Sequence, residues 1–117
     1  MKKYALFIGR WQTWHKGHKW LIDQRLNEGK KVLICIRDVE PDEKNPWTAL
    51  EVMQNLTEKL LDLIQKQKVK IIIIPDIESI NIGRGVGYDV IEHCPPDDIK
   101  EISATAIRNK MKKEGKL

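Results

Sequence analysis

The sequence predicts an α/β protein built on a parallel sheet, and three observations carry that prediction. Three short apolar runs, "YALFI" (4–8), "VLICI" (32–36) and "VKIIIIP" (69–75), the last two rich in β-branched residues, are bounded by polar residues, as suits central strands covered on both faces. Stretches with helical spacing of apolar residues lie between them. Each connection is long enough for a helical crossover, which is right-handed between parallel strands. The expected product is a compact, Rossmann-like parallel sheet with helices on both faces.

Each element has its own local signal. After "HKGH", residues Trp20, Leu21 and Leu26 form an apolar stripe, with Trp20 expected in the core, and Gly29 stands where that helix would terminate. Thr48, following "NPW", is a plausible N-cap for a second helix whose apolar face is Leu50, Met53, Leu56, Leu60, Leu61, Leu63 and Ile64. Pro75 ends the third strand. The stretch "PDIESINIGRGVGYDVIEHCPPDD" (75–98) reads as a long surface loop in which "YDVIE" forms one short strand. A last helix is expected from Ala104 to Lys113. No internal repeat or low-complexity segment is evident, so residues 1–117 read as a single domain.

Global properties exclude several classes. No apolar run approaches the length of a membrane span, and the N-terminus lacks the pattern of a signal peptide, so the expectation is a cytoplasmic protein with no membrane partner. Cys35 and Cys94 have neither the number nor the spacing of a disulfide framework or zinc knuckle, and both read as buried or half-buried thiols. The formal charge of +4 favours anionic partners. Its most concentrated source, "RNKMKKEGKL" at the C-terminus, reads first as a solvated surface and second as a phosphate-facing one. No recognition-helix, zinc or aromatic strand pattern accompanies it, so no nucleic-acid partner is expected.

The junction "FIGRWQTWHKGH" (7–18) holds the chemistry. In open α/β sheets, ligands bind at the carboxyl ends of the strands, and the turn into the first helix is a favoured phosphate site. The helix N-terminus supplies unpaired N–H groups, Gly17 permits close approach of an anion, and His15 and His18, at i and i+3, can address one ligand. The glycine spacing matches neither a Walker loop nor the dinucleotide fingerprint. A second anion site is expected at "EISATAIR", where Ser103 is a candidate N-cap, Thr105 a hydroxyl donor, and Arg108 lies near Thr105 on the helix. Two helix N-termini converging on one sheet edge would grip a triphosphate.

Other candidates are weaker. The two histidines lack a third ligand, so no protein metal site is expected, and His93 beside Cys94 reads as a loop residue. Trp11, Trp14 and Trp47 fall in loops at the presumed site and are candidates to stack on a base or cover a ligand. Asp38 and Asp76 follow the second and third strands, where an acid faces either the site or solvent. Arg84 in "NIGRGVG" either helps cradle phosphate or belongs to a turn.

"HKGH" matches the HxGH signature, and "ISATAIR" the ISxTxIR signature, of the small nucleotidyltransferases, and the chain resembles that superfamily over nearly its whole length. "GRWQTWHKGH" is most similar to the GRFQPxHxGH opening of archaeal-type nicotinamide mononucleotide adenylyltransferases, and "KNPWTALE" to their KNPFTAGER segment. The resemblance implies transfer of a nucleoside monophosphate from ATP or CTP to a phosphorylated small-molecule acceptor, with Mg²⁺ bridging phosphate oxygens. It gives His15 and His18 contact with the α-phosphoryl oxygens, and Ser103, Thr105 and Arg108 the leaving pyrophosphate. Gly9, Arg10, Lys16 and Gly17 complete the implied nucleotide-binding set.

The chain departs from the pattern at three points. Thr13 stands at the proline of GRFQP, and Val52 at the arginine of KNPFTAGER. Between "IIIIPDIESI" and "GYDVIE" the family pattern has a further helix, strand and helix, so the fold is expected one crossover shorter than usual, with neighbouring subunits of a homo-oligomer completing the pocket. Two functions follow from the sequence: an adenylyl- or cytidylyltransferase, the former favoured, and a nucleotide-binding or regulatory module that keeps the grip without turnover.

Overall fold

The computed structural model describes residues 3–85 and 87–96. Its elements run β1 (Tyr4–Gly9), α1 (Lys16–Leu26), β2 (Lys31–Asp38), α2 (Ala49–Lys59), α3 (Leu61–Gln65) and β3 (Val69–Pro75). The three strands form one parallel sheet in the order β1-β2-β3. The α/β class and all three predicted strands are therefore present, and β2, the most apolar in context, occupies the middle.

Register explains the core. The rows Ala5–Val32–Val69, Phe7–Ile34–Ile71 and Gly9–Ile36–Ile73 lie across the sheet, and because side chains alternate along a strand they share one face. Val32, Ile34 and Ile36 are fully buried there, in one cluster with Ile22 from α1 and Val52, Leu56 and Leu60 from the α2 region. Two right-handed crossovers advancing in the same direction put both helices on that face. On the opposite rows, Leu33 and Ile72 are half-buried and Leu6 is exposed; none joins the helix-backed cluster. The helix expected over 104–113, which would bear on the cover of this second face, lies outside the described residues.

Helix α2 begins as its sequence dictates. Thr48 Oγ1 accepts from Glu51 N while Glu51 Oε1 accepts from Thr48 N, a reciprocal capping box. The periodic stretch to Ile64 is two helices, because buried Leu60 takes φ −114° and ψ 16° and turns 61–65 back toward the sheet. Gln67, at φ 60°, then reverses the chain into β3, with Gln67 and Lys68 N–H groups donating to the Ile64 and Leu63 carbonyls. The first helix stops at Leu26, and Gly29 follows at φ 77° in the turn toward β2.

Three local expectations are corrected. "YDVIE" is irregular and lies open, with Val90 exposed at 80%, because no neighbouring strand pairs with it among the described residues. Cys94 is exposed, whereas Cys35, in the middle strand, is buried. Trp20, expected in the core, is half-buried and stands outside the core cluster. Among the described residues no helix is long and apolar enough to cross a membrane.

Packing sets a clear contrast along α2. Leu56→Ala, which empties a fully buried site, is expected to cost about 3 kcal/mol in urea unfolding; Leu50→Ala, on the exposed flank, is expected to change stability by no more than about 0.5 kcal/mol.

Candidate functional site

At the carboxyl end of β1 the chain folds back on itself. Gly9 eases this close approach: a Cβ there would stand 3.3 Å from Trp11 Cε2, tighter than ordinary contact. The Trp11 indole tucks beneath the sheet edge and its Nε1 donates to the Cys35 carbonyl at 3.0 Å. Gln12 is a buried polar side chain whose amide is satisfied twice by one residue: Nε2 donates to the Trp47 carbonyl at 3.0 Å, and Trp47 N donates to Oε1 at 3.1 Å. The turn after β1 is thus fastened to the segment that opens α2.

This turn is strained. Trp11 and Thr13 have φ of 54° and 56°, a left-handed conformation unusual for bulky residues and most unfavourable for a β-branched one. Proline, fixed near φ −65°, cannot adopt it. Thr13 therefore takes the chain along a path closed to the proline of the GRFQP pattern. Its hydroxyl is buried without a hydrogen-bond partner among the described residues.

The two histidines meet at the start of α1. His15 is the N-cap, its Nδ1 accepting from Gly17 N at 3.0 Å, which leaves the proton of the neutral ring on Nε2. Lys19 N donates to the His15 carbonyl, so the N–H groups of Lys16 and His18 remain as first-turn donors without a protein acceptor among the described residues. The imidazoles of His15 and His18 stack with centroids 3.9 Å apart and 22° between planes. Trp11 and Trp14 lie against His18 at 5.2 and 5.3 Å.

Burial, with a smaller contribution from His15, lowers the His18 pKa to about 3, and burial lowers that of His15 as well. Near neutral pH, His18 without a ligand is an uncharged imidazole. Its Nδ1 is buried and unpartnered among the described residues. Such an orphaned polar atom is costly in a folded protein, and an incoming ligand is one way to relieve it.

The remaining candidates divide into those near this centre and those already engaged. Arg10 lies 3.9 Å from Asp42, whose carboxylate accepts from the backbone of Lys44 and Asn45 and is held below its usual pKa first by the Asn45 bond. Asp76 is taken by Arg37: Nε and Nη2 reach the same Oδ1 at 2.9 and 2.6 Å, and this hydrogen bonding lowers its pKa. Lys16, Asp38 and Arg84 are exposed. Phe7 stacks with His93, at 6.2 Å. Ser103, Thr105 and Arg108 lie outside the described residues. Among those described, no group of three or more His, Cys, Asp and Glu is gathered to hold a metal.

Sequence reasoning passed over Gln12 and Arg37. Gln12 stands in the GRxQ opening, but neither its pairing nor that of Arg37 has a local signal, because their partners lie 35 and 39 residues away.

No family model matches the chain. It is similar to a nicotinamide-nucleotide adenylyltransferase of Caldivirga maquilingensis, 36% identical over 78 residues, a match covering 64% of this chain and 44% of that protein. The matched region therefore spans less than half of the relative's length.

Two predictions arise from this geometry. Thr13→Pro is expected to destabilise the fold by at least 2 kcal/mol, roughly, while Thr13→Gly relieves strain and is neutral or stabilising by up to about 1 kcal/mol; urea unfolding reads both. The second concerns acid. His18 in the unfolded chain takes up a proton below its ordinary value of 6.5, whereas the folded protein resists until about 3. The unfolded state thus binds more protons in that window, so stability is greatest above pH 6.5 and falls as pH drops. Between pH 7 and pH 5 this group should remove roughly 2 kcal/mol, a dependence that His18→Gln reduces to what His15 contributes.

Proposed function

We propose that the chain transfers a nucleoside monophosphate, AMP in preference to CMP, from a nucleoside triphosphate to a phosphorylated small-molecule acceptor. The observation that carries this reading is the stacked His15–His18 pair at the start of α1, with free first-turn N–H groups and an unpartnered imidazole nitrogen, at the carboxyl end of β1. Such a centre suits the oxygens of a phosphoryl group better than a nucleophile's task. The preference for ATP follows the GRxQ opening and the similarity to the Caldivirga adenylyltransferase.

In the proposed reaction an acceptor phosphate oxygen attacks the α-phosphorus in line. The bond from that phosphorus to the bridging oxygen breaks, and pyrophosphate leaves with the electron pair. His15 and His18 donate to the α-phosphoryl oxygens, and Ser103, Thr105 and Arg108 hold the leaving group. Catalysis comes from position and electrostatics, with no covalent intermediate. Mg²⁺ would arrive with the triphosphate substrate and offset its negative charge.

The second reading is a nucleotide-binding or regulatory module that keeps the histidine pair without turnover, favoured by the short stretch between "IIIIPDIESI" and "GYDVIE", where the family pattern has a further crossover. Pyrophosphate release, measured with ATP or CTP and a panel of phosphorylated acceptors, separates the two. For the enzyme, His18→Ala is expected to lower the rate by about 100- to 1000-fold while nucleotide affinity falls much less. Nucleotide binding without pyrophosphate release from any pair would favour the module. Equal losses of rate and affinity would remove the transition-state role from His18.

A further inference from the structure

A cleft of about 510 Å³ opens between the loop after β1 and α2. Trp11, Thr13, Trp14 and Trp47 line it from the loops, and Val52 and Glu58 from the helix. Neither His15 nor His18 contributes to its walls. Its volume falls in the range of small-molecule sites.

The walls are fixed in advance. Trp11 is tied to the Cys35 carbonyl, and Trp47 is held through its backbone by the Gln12 amide. The strained turn sets a threonine into the same cleft with its hydroxyl buried and unpartnered among the described residues. The helix side is acidic in balance. Glu51 and Glu58 outnumber Lys59, and while Glu51 is engaged with Thr48, Glu58 has no ion pair among the described residues.

We infer that this cleft is a binding site for a small organic cation of the alkylammonium or quaternary ammonium kind, lined by the three tryptophans and balanced by Glu58. Indole is the side chain that attracts a cation most strongly, and the attraction grows as the cation leaves water. A weakly hydrated organic cation gives up its solvent at small cost, whereas two carboxylates disfavour an anion. An uncharged apolar group would fill the volume and leave Glu58 without a role. This site is separate from the phosphoryl centre and does not depend on the transferase reading. Its occupant would nonetheless touch Trp11 and Trp14, the rings packed on His18.

The test uses the full chain and tetramethylammonium chloride, with sodium chloride at the same ionic strength as reference and 3,3-dimethylbutanol as an uncharged mimic of similar shape. Tryptophan fluorescence and the indole N–H resonances report binding. Tetramethylammonium is expected to shift the Trp11, Trp14 and Trp47 signals saturably, on the order of millimolar affinity. Glu58→Gln, a change at an exposed helix position, should weaken it about five-fold, and Asp62→Asn, on α3 and paired with Lys66, should leave it unchanged. Equal response to sodium chloride, equal affinity for the uncharged mimic, or an unchanged affinity in Glu58→Gln would each overturn the assignment.

Discussion

The buried amide of Gln12 is the constraint on which the rest of the site depends. One of its N–H donors and its carbonyl oxygen are both engaged by the backbone of a single distant residue, Trp47. A buried amide of this kind contributes modestly when paired and is costly when it is not. Its effect is chiefly geometric: the turn after β1 and the segment before α2 cannot move independently. Thr48, the next residue, then starts α2 with its capping box, and Trp11 and Trp47 become walls of the same cleft.

From that fixed turn the character of the histidine pair follows. Trp11 and Trp14 exclude water from His18, and burial keeps the ring neutral. A neutral imidazole acts on a phosphoryl oxygen as a hydrogen-bond donor. An anionic ligand opposes the desolvation that depresses the pKa, so charge would develop on the ring as the ligand arrives. The left-handed backbone at Trp11 and Thr13 is held by the bond from the Trp11 indole to the Cys35 carbonyl and by the Gln12 amide between them, as expected where structure over-determines a strained site.

Much of the fold was legible because its causes are local. The three apolar runs and the Thr48 cap are written in contiguous residues, and so is the i, i+3 spacing of His15 and His18. What escaped depends on distant partners. Trp11 looks like a loop residue until its indole meets the Cys35 carbonyl, 24 residues away, while Trp20 falls on the apolar stripe and still ends half-buried. Periodicity ran straight through Leu60, where the backbone turns. Asp76 was legible as an acid at the sheet edge, but its engagement by Arg37 was not.

The central claim is that the imidazoles at the start of α1 receive a phosphoryl group. The most direct measurement is a titration of the three histidines by nitrogen-15 NMR at pH 6.5 with Mg²⁺ and ATP or CTP, His93 serving as the internal reference. The account predicts a neutral His18 before addition, then saturable shifts of His15 and His18 with one nucleotide and larger changes there than at His93. Histidines 15 and 18 that stay unmoved by both nucleotides, or that move no more than His93, would contradict it.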